Sequence, residues 1–577
     1  MMRSADLVLL HPPSVYDFRT KTILYGPISD LIPSTPIFEM YPIGFTTIAE
    51  YLERHGFRVR IINLAIRMLA SDRFNPENLI SSLNPLAFGI DLHWMPHCHG
   101  AIEVAKLVKK YHPKTPVIFG GFSSTYFHRE LIERPEVDFV VRGDSTEEPV
   151  RLLMKYIRGD KDAPPLEVIP NLTWKDEKGE IHVNPLSWSP PDLNYVLMDY
   201  SYVVKAVARY RDLISFIPFK GWLGYPITAV LSCRGCTYSC RTCGGSAYAF
   251  KKMHGRSRPA YRDPELLAKD IRNIARFSKG PIFILGDLRQ AGMDYAERFF
   301  HAIKGYNGPV IVELFDAADR AFFKELSRAL PNFVLEISLE SHSDEVRRAF
   351  GRPYSTAEAE ATMEYALEAG CKRLDVFFMI GLPEQDFSSV METVKYAGRL
   401  IREFNRGQAP RLFPFISPMA PFLDPGSEVF EAPDQFGYRL FYRTLEEHRL
   451  ALEQPSWKYI LSYETKWMSR DEIVESTYEA GLQLNELKKV YGLISPRKAE
   501  DVASRIRKAR LLIRQIDDLL TMPSDTLREK FLKALKPHVD NANTSTVCDK
   551  EELNVRLGLL NLRILRSASI LLQRAKP

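Results

Sequence analysis

At 577 residues the chain is too long to fold around one core, and two or three domains are expected. Apolar residues make up 45% and charged residues 26%, which is ordinary for a globular protein. The net charge of +5 is small for this length and gives no case for a nucleic-acid binder.

The first element is a short apolar run, Leu7 to Leu10, closed by His11-Pro12-Pro13. It is too short for a signal-peptide core, and no small-residue cleavage site follows. No uninterrupted apolar stretch is long enough to span a bilayer, so the expectation is a cytoplasmic protein with reduced thiols. Ile43–His55 has helical spacing, and Val59–Leu64, Ala87–Leu92, Val117–Phe119 and Val137–Val141 read as buried parallel strands, with a helix at Ala101–Tyr111. This alternation predicts a doubly wound α/β sheet over residues 1–158. Its ligand-binding loops lie beyond the strands' carboxyl ends, at His11–Ser14, Asp91–Gly100, Gly120–Ser124 and Arg142–Glu148.

Residues 159–226 read as a linker carrying a hairpin, Asn171–Trp174 and Glu180–Val183. A second alternating series fills 227–425. Its strands are expected at Ile227–Ser232, Ile282–Leu285, Val310–Leu314, Val334–Leu339, Leu374–Ile380 and Leu412–Ile416. Six βα units predict a partial (β/α)6 barrel with its active site at the carboxyl ends of the strands. Residues 426–577 read as helical: Tyr438–Leu452, Arg470–Val490, Pro496–Leu520 and Asn554–Arg574.

The seven cysteines include four within eleven residues: Cys233, Cys236, Cys240 and Cys243. In a reducing compartment this clustering points to a metal site. Cys236, Cys240 and Cys243 stand at C-x3-C-x2-C spacing in a loop after the first strand of the second series. Three thiolates on one loop suit an iron–sulfur cluster with an open fourth iron. The alternatives are a zinc site that also uses Cys233, for which four ligands in one tight run are awkward, and buried inert thiols. Cys233 reads as a strand-end core residue.

This loop resembles that of the radical S-adenosylmethionine (radical-SAM) superfamily. The resemblance implies a [4Fe–4S] cluster held by Cys236, Cys240 and Cys243, with SAM chelated at the open iron. It also implies a reductant such as ferredoxin or flavodoxin, and reductive cleavage of SAM to a 5′-deoxyadenosyl radical. The chain departs from the family in having Thr242 where an aromatic residue usually precedes the third cysteine, so either Tyr238 or a neighbour takes over packing on the adenine or the adenine sits less firmly. Further SAM contacts implied are Asp287 in Leu285-Gly286-Asp287, Ser338 and Glu340 at the end of the fourth strand, Arg352, and Gly381 in Met379-Ile380-Gly381-Leu382-Pro383.

The first domain resembles the domain preceding the cluster domain in cobalamin-binding radical-SAM enzymes. His11-Pro12-Pro13, Tyr41-Pro42-Ile43-Gly44, Gly120-Gly121-Phe122-Ser123-Ser124 and Val141-Arg142-Gly143-Asp144-Ser145 carry the likeness. Gly120 and Gly121 would make room for a flat ligand, with Ser123 and Ser124 donating to its nucleotide tail. The D-x-H-x-x-G cobalt motif is absent. The group His93, His97, Cys98 and His99 offers a lower cobalt ligand, although loop histidines are more often solvated or hydrogen-bonded.

Leu553–Leu572 has Arg556 and Arg563, with Arg574 just beyond it, near one side and Leu557, Leu560, Ile564 and Leu571 on the other. Such a helix suits an anionic membrane surface or packs over the barrel mouth. The function expected from the resemblance is cobalamin-dependent methylation or C–C bond formation at an unactivated carbon. Radical cross-linking of a membrane lipid of the archaeal tetraether type is the alternative, and a non-catalytic cobalamin- or SAM-responsive regulator is a third, weaker one.

Overall fold

The structure is a computed structural model, and it describes residues 5–27, 32–198, 201–407, 409–418, 422–543 and 547–554. The helix expected at Leu553–Leu572 lies almost wholly outside the described residues.

The first sheet is built from β1 (Leu7–His11), β2 (Val59–Asn63), β3 (Ala87–Asp91), β4 (Val117–Gly120), β5 (Phe139–Val141), β6 (Leu172–Lys175) and β7 (Ile181–Val183). Their spatial order is β2-β1-β3-β4-β5-β6-β7. The first five run parallel. Every residue of β1, β3 and β5 is buried, as expected of strands covered on both faces by crossover helices. β1 and β3 are neighbours, so the chain leaves their carboxyl ends in opposite directions and opens a crevice there. The hairpin read as part of a linker is no free connector. β6 pairs antiparallel with β5, and β7 with β6, so both extend the first sheet.

The second sheet begins with β8 (Thr228–Leu231). A small antiparallel pair follows, β9 (Cys233–Arg234) with β10 (Ala260–Tyr261). Then come β11 (Ile282–Leu285), β12 (Val310–Leu314), β13 (Phe333–Glu340), β14 (Leu374–Ile380) and β15 (Leu412–Pro418). All six main strands are parallel and lie in sequence order, β8-β11-β12-β13-β14-β15, as an open barrel. Local signals start the crossover helices. Pro264 opens the helix to Ile274, and the Asp386 side chain accepts the Ser389 N–H at the start of Phe387–Phe404.

Past residue 425 the chain is less uniformly helical than its pattern suggests. β16 (Tyr438–Leu440) and β17 (Tyr463–Thr465) form an antiparallel pair, so the helix expected at Tyr438–Leu452 is confined to Leu445–Ala451. Three long helices follow, Arg470–Val490, Pro496–Leu520 and Asp525–Ala542. They pack around a separate apolar core containing Trp457, Tyr478, Ile506 and Ile516. No helix among the described residues is long and apolar enough to cross a membrane.

Candidate active site

One cavity of about 1060 Å³ is walled by both sheets. Gly120, Gly121 and His93 line it on the first, Cys236, Cys240 and Cys243 on the second. It runs on into the barrel to Glu336 and Asp375. Its size is at or just above the upper limit of roughly 300–1,000 Å³ typical of small-molecule sites.

On the first domain's side, Gly121 adopts φ +117°, and a Cβ there would stand 2.6 Å from the His93 Cα. Only glycine lets the loop after β4 lie this closely on the loop after β3. The two serines play a different part from the one expected. Ser123 Oγ donates to the His93 carbonyl at 3.2 Å and Ser124 Oγ to the Gly120 carbonyl at 3.1 Å, so both hydroxyls hold the loop itself.

Of the group His93, His97, Cys98 and His99, His93 alone lines the cavity. Its ring packs on Phe122 at 4.7 Å, and burial lowers its pKa to about 4, leaving a neutral imidazole. His97 donates from Nε2 to the Phe38 carbonyl at 2.9 Å. Cys98 is buried, and His99 lies 3.4 Å from the Glu453 carboxylate. His11 is sealed between Asp91, at 2.9 Å, and the Phe38 carbonyl, so it supports the crevice from beneath.

The cysteine loop is held from several directions. Gly351, at φ +105°, caps the helix Asp344–Phe350, and a Cβ on it would meet the Ser239 carbonyl at 2.7 Å. The Arg241 N–H donates to the Phe350 carbonyl at 2.9 Å, and that of Gly244 to half-buried Asp424 at 2.9 Å. Two backbone N–H groups point at sulfur: Tyr238 at Cys236 Sγ (3.4 Å) and Gly245 at Cys243 Sγ (3.3 Å). Burial raises the thiol pKa of all three cysteines, that of Cys240 to about 11, and the nearby Arg352 charge opposes this at Cys236 and Cys240. Cys233 also lines the cavity, half-buried, and is not the core residue expected.

The SAM-contact candidates divide. Arg352 lines the cavity and donates to the Phe315 carbonyl at 2.7 Å. It lies 3.5 Å from Glu340 and within cation–π distance of Tyr238 and Phe315, with its Nε unbonded. Glu340 is 1% exposed, adopts φ +67° after a β-bulge at Ser338, and keeps Oε2 without a hydrogen bond. Ser338 is half-buried at that bulge, and its carbonyl accepts from Tyr354 at 2.9 Å.

Asp287 is committed locally. Its carboxylate accepts from the Arg289 backbone (2.9 Å) and guanidinium (2.6 Å) and from the Phe315 N–H (3.2 Å), leaving no free oxygen for an amine. Gly381 does allow a close approach, but the approaching group is Tyr463, whose hydroxyl a Cβ would meet at 2.8 Å. Its carbonyl accepts from Tyr438 at 2.7 Å. Gly381 therefore seats the β16–β17 segment against the barrel.

Sequence reasoning missed the acids inside the barrel and the ion pairs that join the two domains. Glu313 lines the cavity and accepts the Gly286 N–H at 2.5 Å, and burial pushes its pKa up to about 7. The acids on β12, β13 and β14 had a sequence signal, each being a carboxylate flanked by apolar residues within a strand, one each in β12 and β14 and two in β13. Arg234, beside the cysteine loop, donates to both oxygens of Glu147 at 2.6 and 3.0 Å and to Tyr195 at 3.1 Å. Arg256 pairs with Asp144 at 2.5 Å. Glu147 and Asp144 follow β5, so these pairs fix the first domain's crevice over the cysteines.

The donors suit an iron–sulfur cluster. Among the described residues the only His/Cys/Asp/Glu group with three ligand atoms within 4.8 Å of one another is Asp176, Glu180 and His182, on the hairpin. The cysteine sulfurs are thus not gathered as ligands of one zinc ion would be, whereas sulfurs on different irons of one cluster stand further apart. The glycine-lined crevice and the cavity's volume suit a large flat ligand beside SAM.

The comparisons with known proteins agree with these features. Residues 34–153 match the model of the B12 binding domain, and residues 230–397 that of the radical SAM superfamily. The chain is 21% identical over 410 residues to the cytidylyl-2-hydroxyethylphosphonate methyltransferase of Streptomyces wedmorensis, covering 63% of this chain and 74% of that one. It is 26% identical over 283 residues to the hopanoid C-3 methylase of Methylococcus capsulatus, covering 47% of each. Its fold is similar to the radical SAM methyltransferase TsrM from Kitasatospora setae, solved with cobalamin and a [4Fe-4S] cluster (TM-score 0.56, 15% identity, 86% of this chain and 90% of that one). It is also similar to the cobalamin-dependent radical enzyme OxsB with aqua-cobalamin and SAM (TM-score 0.54, 12% identity, 100% and 80%). The chain is a radical-SAM enzyme, of the class in which a cobalamin-binding domain precedes the cluster domain.

Proposed function

We propose that this chain transfers a methyl group from SAM to an unactivated carbon of a small molecule held between its two domains. The observation that carries this reading is the single cavity walled by the Gly120-Gly121 loop and by Cys236, Cys240 and Cys243. The names of its relatives, a methyltransferase and a methylase, support it.

In this reading the three cysteines hold three irons, Arg352 and Glu340 meet the amino-acid end of SAM, and the Gly120-Gly121 crevice seats cobalamin. When bound, the cluster supplies the electron that splits SAM, and cobalamin a carrier for the methyl group. The chain's own residues do the rest. The Arg352 guanidinium offers an unbonded Nε–H to a carboxylate. Tyr238 and Phe315 flank it with aromatic surface in place of the residue replaced by Thr242. The Arg234–Glu147 and Arg256–Asp144 pairs keep the two walls in register, and the apolar lining keeps water from a reactive carbon. A small electron donor of the ferredoxin or flavodoxin type would supply the reducing equivalents.

The test uses anaerobically reconstituted protein with reductant, cobalamin, methyl-labelled SAM and a small-molecule extract. The expected result is 5′-deoxyadenosine together with a labelled product, the latter lost when cobalamin is omitted. Abundant 5′-deoxyadenosine with no label in any product would contradict methyl transfer.

A further inference from the structure

The barrel carries a row of acids that the cluster and SAM leave unused. Glu313 on β12 is in register with Glu336 on β13, and Glu336 with Asp375 on β14. The three side chains therefore stand side by side on adjacent strands, and all three line the cavity. Apolar Phe283, Ile311 and Phe377 line it near them.

The three acids differ in their partners. Asp375 is held by Arg373, at 2.8 and 2.9 Å. Glu313 accepts the Gly286 N–H. Glu336 makes no hydrogen bond, although the barrel encloses it, and its neighbours are acids on both sides. The nearby cations are already committed. Arg373 also donates to the Asn554 carbonyl at 3.2 Å, Lys488 pairs with Glu552 at 2.8 Å, and Arg352 faces Glu340. A carboxyl group left without a partner in an apolar wall is costly, and three acids served by one bonded cation leave the end of the cavity short of positive charge.

Resting on the reading that the substrate occupies this cavity, we infer that Glu336 is the substrate's polar anchor and binds a protonated amine, with Glu313 and Asp375 reinforcing the site. The substrate class is an amine with an apolar body, the amine seated on the acid row and the rest extending toward the cysteine loop. Burial, with Asp375 and Glu313 adding to it, pushes the pKa of Glu336 up to about 8. At neutral pH the group is thus mostly protonated in the empty site. An arriving cation reverses the preference and expels that proton to solvent.

The experiment titrates hexylamine and hexan-1-ol by calorimetry into anaerobically reconstituted holoenzyme at pH 7 with saturating SAM. Two buffers of different ionisation enthalpy report proton release. Hexylamine should bind at least roughly tenfold more tightly than hexan-1-ol, because a charge-assisted bond replaces a neutral one, and should release protons. The Glu336→Gln variant should lose both the preference and the proton release. Iron content and the response of the cluster's spectrum to SAM, read on the same samples, report the cofactor assignment independently. Equal affinities (including no detectable binding of either), a preference that survives Glu336→Gln, or competition between hexylamine and SAM would overturn the proposal.

Discussion

Replacing Cys236, Cys240 or Cys243 by alanine is expected to abolish 5′-deoxyadenosine formation, a loss of more than ~10³-fold. In the proposed assignment each thiolate would serve a different iron, so a single loss would remove a ligand that the loop cannot replace. The loop is tied to Phe350, Asp424 and Gly351 and has little freedom to bring another donor across. Iron content should fall in parallel. Cys233→Ala is the control. Its sulfur lies within hydrogen-bonding range of the Gly235 carbonyl at 3.6 Å, and iron should remain bound without it. Full iron content in all three loop variants, or its loss in Cys233→Ala alone, would reassign the ligands.

Arg234→Met is expected to loosen the joint between the domains. The pair it forms with Glu147 is buried, with side-chain exposures of 10% and 1%. Removing one partner of such a pair leaves an uncompensated charge and costs about 3–5 kcal/mol. Burial works against ionisation of Glu147, but the charge of Arg234 and the hydrogen bonds from Arg234 and Thr47 outweigh it and hold the carboxyl below its usual range. The sign follows from linkage. A depressed native value means the pair's contribution is complete above the unfolded carboxylate value of about 4.3, and is lost as the pH falls through the lower native one. The variant should therefore show a lowered denaturant midpoint at pH 7 and faster hydrogen exchange in residues 232–262, with the difference from wild type shrinking in acid. Unchanged exchange in that segment would show that other contacts carry the joint.

The parallel strands of both sheets were legible because they are short apolar runs separated by helical periodicity, and the cysteine spacing stood out in the same way. Three kinds of feature were not. The first was strands of three residues, such as Tyr438–Leu440 and Tyr463–Thr465. They lie in stretches whose apolar spacing also fits a helix, and only pairing across some twenty residues decides between them. The second was partner identity. Gly381 announces a close approach, but only the fold shows that Tyr463 is what approaches.

The third was register. Glu313, Glu336 and Asp375 are each visible as acids in apolar strands, yet nothing local says that they form one row. The Asp287 reading failed for a local reason that the sequence does contain. Arg289, two residues on, folds back on the carboxylate and takes both of its oxygens. Arg234 and Glu147 are 87 residues apart, and their pairing follows only once the two domains face each other.

The most direct test of the account is the electron paramagnetic resonance spectrum of the anaerobically purified, reduced protein, recorded before and after addition of SAM. An iron site lacking a protein thiolate must change its signal when the amino and carboxylate groups of SAM coordinate it, and such a change is predicted. A reduced cluster whose spectrum is indifferent to SAM, or protein that holds no iron, would contradict the central claim.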